Sequence, residues 1–175
     1  QIRTDVWASA SVELHTEDVK IFGSIGEQFD YFKGLRDNLI VYYHNLKFDG
    51  EFWLSYFINE LHLQQAQYQV GENELDVDFY SKKEMPNNSF TYSISDMGMW
   101  YKILVKINGK FIEIRDSLKL LPFSVERIGK SFKTKHKKLK MKYDGVRYPG
   151  CVITDHEKEY IANDVLVVKE ALEFM

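Results

Sequence analysis

A chain of 175 residues that is 45% hydrophobic, 15% aromatic and 28% charged, with three prolines, is globular and sized for one domain, 1–175. Its apolar runs fall short of the about 20 residues a bilayer helix needs, no secretory leader is visible, and a single cysteine, Cys151, excludes an internal disulfide and a cysteine-rich zinc site. The net charge of −3 conceals a split, because residues 129–150 carry +7 and the remainder −10.

The first element in chain order is a strand. Val6, Ala8, Ala10, Val12 and Leu14 alternate with Trp7, Ser9, Ser11 and Glu13, a period of two. Val19 to Phe22 reads as its partner. Ser24 and Glu27 form a capping-box pattern that opens a helix to about Arg36. Leu39 to Tyr43 is a continuous apolar run, expected as a strand covered on both faces. Phe52, Trp53, Tyr56, Phe57 and Leu61 recur at helical spacing. Gln64 to Asn88 is polar, acidic and irregular in pattern.

Three strands are predicted next, at Phe90 to Ser95, Trp100 to Ile107 and Lys110 to Arg115, with Asn108-Gly109 as a hairpin turn. Val125, Ile128 and Phe132 mark a short helix after Pro122. The lysines at 130, 133, 135, 137, 138, 140 and 142 follow, either a footprint for a polyanion or a solvated loop. Thr154 and Glu157 make a second capping box, and a helix runs to about Phe174 with Ile161, Val165, Val168 and Leu172 as its buried stripe. Strands followed by helices on the sheet faces give a three-layer α/β domain.

Two segments carry candidate chemistry. Asp49, in the run from Tyr43 to Phe52, follows a buried strand and precedes a helix. It either caps that helix or projects into the cleft where ligands gather at strand ends. Tyr160 and Asp164 are four residues apart and share a helix face. Asp164 borders the apolar stripe, where a carboxylate reaches solvent, is paired or binds a cation. One carboxylate at a strand end and one on a packed helix can share a divalent metal, since Mg²⁺ takes one or two carboxylates plus waters and substrate phosphate. Tyr160 could then hold an attacking water. That is the equipment of metal-assisted phosphodiester hydrolysis.

Asn45-x-x-Phe48-Asp49 and Tyr160-x-x-x-Asp164 resemble the second and third exonuclease motifs of family B DNA polymerases. Residues 43–50, Met97-Gly98-x-Trp100-Tyr101, the run from Asp116 to Phe123, and Val6-Trp7-Ala8 are similar to the protein-primed branch of bacteriophages and linear plasmids. The ordered set extends from Val6 to Phe174.

The resemblance implies a ribonuclease-H-like (DnaQ-like) α/β fold with a mixed sheet flanked by helices. It implies an N-terminal 3′–5′ proofreading exonuclease domain of a replicative phage or plasmid polymerase, in a bacterial cytoplasm. The family uses four acidic residues and two ions, Mg²⁺ or Mn²⁺. Asp49 and Asp164 are implied as metal ligands and Tyr160 as the residue that orients water. Lys138 is implied as the assisting lysine, with Lys137 as its alternative. His44, Asn45, Phe48, Phe52, Ser117, Leu118 and Tyr143 match positions that grip a single-stranded 3′ end. Phe52, on the helical stripe, suits core packing equally well.

One family feature is missing. An Asp-x-Glu strand belongs upstream of Val6, and only Gln1 to Asp5 precede it. The chain starts at Gln1 and carries no polymerase motifs, so it reads as a domain lacking its first strand and its polymerase part. Impaired hydrolysis is expected, and so is self-association through the vacated sheet edge. The other reading is an inactive module that keeps the fold and binds single-stranded DNA or a partner.

Overall fold

The computed structural model describes residues 5–94, 100–141 and 145–175. These residues form two compact units, one taking the chain up to Tyr31 and from Leu118 onward, the other comprising Phe32–Ser117.

The first unit opens with β1 (Ser9–Val12) and β2 (Val19–Phe22), an antiparallel pair with Ser9 opposite Phe22. β1 is shorter than the alternation from Val6 to Leu14 suggests, because pairing stops where β2 ends. α1 (Ile25–Gly34) crosses the boundary of the two units. Only half of its expected capping box forms. Ser24 Oγ accepts from Glu27 N at 3.1 Å, while Glu27 Oε2 reaches past the cap to Gly23 N at 2.6 Å.

α3 (Val125–Ser131) and α4 (Asp155–Phe174) complete the first unit. Both are capped as their sequences dictate, and α4 has the full reciprocal box of Thr154 and Glu157. α4 packs on β1, β2 and α3. Leu121, Ile128, Val167 and Ala171 form the core between the helices. The buried stripe on α4 is therefore not the expected one. Leu166, Val167 and Ala171 are buried, and Ile161, Val165, Val168 and Leu172 are half-buried. Contact with strands on one side and α3 on another widens the covered face beyond a single stripe.

The second unit is a five-stranded sheet in the order β3-β9-β8-β7-β4. Its strands are β3 (Leu39–Tyr43), β4 (Gln64–Gln65), β7 (Ser89–Ile94), β8 (Trp100–Ile107) and β9 (Lys110–Asp116). β7, β8 and β9 form an antiparallel meander, while β3 runs parallel to β9 with Tyr43 opposite Asp116. Asn108 and Gly109, at φ 52° and 74°, make the turn between β8 and β9. The two strands from 100 and 110 start where their sequences say.

β3 differs from expectation. It is not covered on both faces but lies at the sheet edge, with Ile40 56% exposed. An apolar run cannot by itself distinguish a central strand from an edge one.

α2 (Leu46–Ser55) lies against β8 and begins directly after Asn45, six residues before the periodic stripe suggests. It continues into a π-helical turn, Tyr56–Glu60. Trp53 and Phe57 are buried and contact the rings of Phe32, Tyr43, Tyr56 and Phe90. The stretch read as irregular holds more pairing than its polarity suggests. It contains β4 and an antiparallel ribbon of β5 (Gln67–Gln69) and β6 (Val77–Phe79). Glutamines outside the usual strand composition make up most of β4 and β5.

Lys110 binds the stretch from Phe32 to Leu35, which belongs to this unit. Its side chain is buried and its Nζ donates to the carbonyls of Phe32, Lys33 and Leu35, the last at 2.6 Å. It thus satisfies carbonyls that a helix end leaves without partners. Among the described residues no helix is long and apolar enough to cross a membrane.

Candidate active site

The site residues of the second unit gather where β3 and β9 end side by side. The chain leaves β3 through His44 and Asn45 and turns at once into α2. Asn45 makes that turn in the left-handed region, φ 70° and ψ 64°. Asparagine tolerates this conformation better than most residues. Its side chain makes no capping bond to the helix. Its backbone N–H instead donates to Asp116 Oδ1 at 3.0 Å.

Ser117 holds the two preceding residues. Its buried Oγ donates to Tyr43 O at 3.1 Å and pairs with His44 Nδ1 at 3.1 Å. With the hydroxyl proton committed to the carbonyl, His44 Nδ1 is the donor in that pair. Leu118 follows Ser117 in a 3-10 turn and is half-buried.

Asp49 is not the helix cap. Asn45 occupies that place, and Asp49 lies in the first turn of α2. Its carboxyl is pushed up from 3.8 to about 6, by burial first and by the neighbouring charge of Asp116 second. Two carboxylates are thus close at the strand ends, and the sequence motifs imply a role for Asp49 alone. Asp116 is buried, 4% exposed. Its place as the last residue of a strand beside β3 was the signal for it, legible only once the register was known.

Phe48 and Phe52 lie on α2 but differ in exposure. Phe48 is 65% exposed, and Phe52 is half-buried. A large apolar ring left in solvent is not core, whereas Phe52 retains both readings.

The first unit supplies the other cluster. Lys138 Nζ donates to Tyr160 Oη at 2.9 Å and to both Asp164 oxygens at 3.2 Å. The ammonium also lies 4.8 Å from the centre of the Tyr160 ring. Burial opposes the charge on Lys138, but Tyr160 and Asp164 outweigh it and raise its pKa. Burial raises the Asp164 carboxyl more than Lys138 lowers it. Lys137 does not share this cluster; its Nζ donates to Gly129 O. Tyr143, like Met97 and Gly98 of the sequence motifs, lies outside the described residues.

Oxygen donors suit Mg²⁺ or Mn²⁺. Among the described residues no three or more His, Cys, Asp or Glu side chains form a ready metal cage. Asp49 fits such an ion nonetheless. Its charge is disfavoured by burial and by Asp116, and a divalent cation relieves both.

Residues 35–161 match the family model described as DNA polymerase type B, organellar and viral. The chain is 33% identical over 174 residues to a DNA polymerase of Bacillus phage M2, covering 96% of this chain and 27% of that protein. It thus spans about a quarter of the length of the curated relative. Among solved structures it resembles phi29 DNA polymerase complexed with primer-template DNA, with TM-score 0.75, 30% identity and coverage of 96% and 28% of the two chains. It also resembles phi29 DNA polymerase complexed with single-stranded DNA, with TM-score 0.69, 27% identity and coverage of 95% and 30%. The ribonuclease-H-like fold expected from the sequence is the fold they share.

Proposed function

Because the chain belongs to the organellar and viral type B DNA polymerases, we propose that it is the 3′–5′ exonuclease part of a phage-type, protein-primed polymerase. Its substrate is the single-stranded 3′ end of DNA, and its product a released nucleotide. The observation that carries this reading is the cluster of Lys138, Tyr160 and Asp164, in which one ammonium binds both a phenol and a carboxylate. The arrangement brings together the two residues of the Tyr160-x-x-x-Asp164 motif and the lysine that the resemblance implies as their assistant.

Asp49 and Asp164 are assigned as ligands of divalent metal, Mg²⁺ or Mn²⁺. When bound, the metal supplies Lewis-acid stabilisation of the charge that develops on the scissile phosphate. The chain's own residues do the rest. Tyr160, held by Lys138, orients the attacking water. The raised pKa of Lys138 keeps it charged, so it also offsets negative charge near Asp164. Exposed Phe48 offers a ring on which a base stacks without regard to sequence, and His44 and Asn45 flank it at the strand end. Ser117 is bonded to the same turn, and Leu118 follows it in the chain. The lysines of 130–142 neutralise phosphates, so that affinity falls with salt.

The test is digestion of a 5′-labelled single-stranded oligonucleotide in Mg²⁺ or Mn²⁺, with Asp49→Ala and Lys138→Ala alongside. A ladder from the 3′ end that both substitutions abolish supports the proposal. Binding without any metal-dependent ladder supports instead a module that retains the fold and grips single strands.

A further inference from the structure

Two consecutive residues at the end of β9 hold three consecutive residues at the exit of β3. Ser117 binds Tyr43 and His44, and Asp116 binds the Asn45 amide. The last of these bonds differs in kind. Asp116 is a buried carboxylate, and burying such a charge is expensive. It nonetheless sits beside a second carboxylate, Asp49, whose charge it disfavours. Packing alone would select an apolar side chain at that position.

Its bond to Asn45 explains the choice. Asn45 is in a left-handed conformation, which glycine adopts more readily than any residue with a side chain. That single residue sets the direction in which α2 leaves the sheet. Asp49 is four residues further on, about one turn up the same face. An ionised acceptor makes a hydrogen bond roughly twice as strong as a neutral one. The Asn45 side chain does not secure the turn, since it makes no capping bond.

We infer that Asp116 is a positioning residue for the metal site at Asp49: by accepting the Asn45 N–H it locks the left-handed turn that places the Asp49 carboxylate. The inference rests on the exonuclease reading only for what the metal does, not for where Asp49 is held. Partners that orient metal ligands typically change metal affinity by about 10–100-fold when removed.

The experiment measures Mn²⁺ affinity by calorimetry and Asn45 amide protection by hydrogen exchange, in the full 175-residue chain. Four proteins are compared: wild type, Asp116→Ala, Asp116→Asn, and Asp116→Ala combined with Asn45→Gly. Asp116→Ala is expected to weaken Mn²⁺ at least tenfold and to deprotect the Asn45 amide. Asp116→Asn, which retains an oxygen acceptor, is expected to keep amide protection and Mn²⁺ affinity within about threefold of wild type. Glycine adopts the left-handed turn without strain, so Asn45→Gly recovers part of the affinity that Asp116→Ala loses.

Unchanged affinity and protection in Asp116→Ala would overturn the inference. So would a tenfold loss of Mn²⁺ in Asp116→Asn with the amide still protected, which would make Asp116 a ligand itself. If Asp116→Ala does not fold, that comparison in Asp116→Asn decides alone. Oligonucleotide digestion by the same proteins separates the two claims. Wild type that binds Mn²⁺ at Asp49 yet digests nothing refutes the exonuclease reading and leaves the positioning of Asp49 standing.

Discussion

Replacing Asp49 by asparagine should stabilise the fold in the absence of metal, and only at high pH. The carboxyl is raised from 3.8 to about 6 in the folded chain, so between those values the folded state holds a proton that the unfolded state has released. Stability from this group is therefore full below pH 3.8 and is lost as pH rises through 6. At ~1.4 kcal/mol for each pH unit, the loss reaches about 3 kcal/mol, and the solvent still reaching this half-buried side chain reduces the working figure to about 2 kcal/mol. Asp49→Asn removes the charge while keeping the shape. The assay is urea unfolding of both proteins in EDTA at pH 4, 6 and 8. The variant should be about 2 kcal/mol more stable at pH 8 and indistinguishable near pH 4. Added Mg²⁺ should narrow the gap at pH 8 by binding wild type alone. A variant no more stable than wild type at pH 8, or a gap independent of pH, would refute the reasoning.

Other perturbations test other parts. Lys138→Met should raise the Asp164 carboxyl further, seen by NMR titration, and should slow 3′ digestion by roughly 10²-fold or more if Lys138 supports the proton chemistry at Tyr160. Phe48→Ala should weaken single-stranded DNA by about 1–3 kcal/mol in a fluorescence anisotropy titration, with little change in thermal stability because the ring is already exposed. Lys110→Met should destabilise the chain by about 3 kcal/mol in urea, since it strips the α1 carbonyls of buried donors; a loss under about 1 kcal/mol would mean water replaces them.

The sequence makes local features readable and leaves pairwise ones hidden. Thr154 and Glu157 specify the start of α4, and Asn108-Gly109 specifies the hairpin, because each signal is complete within four residues. Asp49 and Asp164 are visible because they sit in ordered motifs. Asp116 lay within a quoted motif yet had no role, since its role depends on lying opposite Tyr43 in the sheet. Lys137 and Lys138 are equivalent in sequence and separate only in space, where one reaches Gly129 and the other Asp164. The edge position of β3 was hidden for the same reason: composition reports apolarity, and neighbours decide exposure. The start of α2 was missed because a left-handed asparagine gives no periodic signal.

The pairing of β3 with β9 also sets an order of events in folding. The β8-β9 hairpin closes through the Asn108-Gly109 turn, whereas the Asn45–Asp116 bond joins residues 71 apart. Each doubling of a loop costs about 0.6 kcal/mol in closure entropy, so the long closure is about 2–3 kcal/mol dearer than the hairpin's. The meander therefore forms the template and β3 adds to it afterwards, carrying the turn and Asp49 with it. A chain can thus possess most of its sheet before the turn that places Asp49 beside Asp116 has closed.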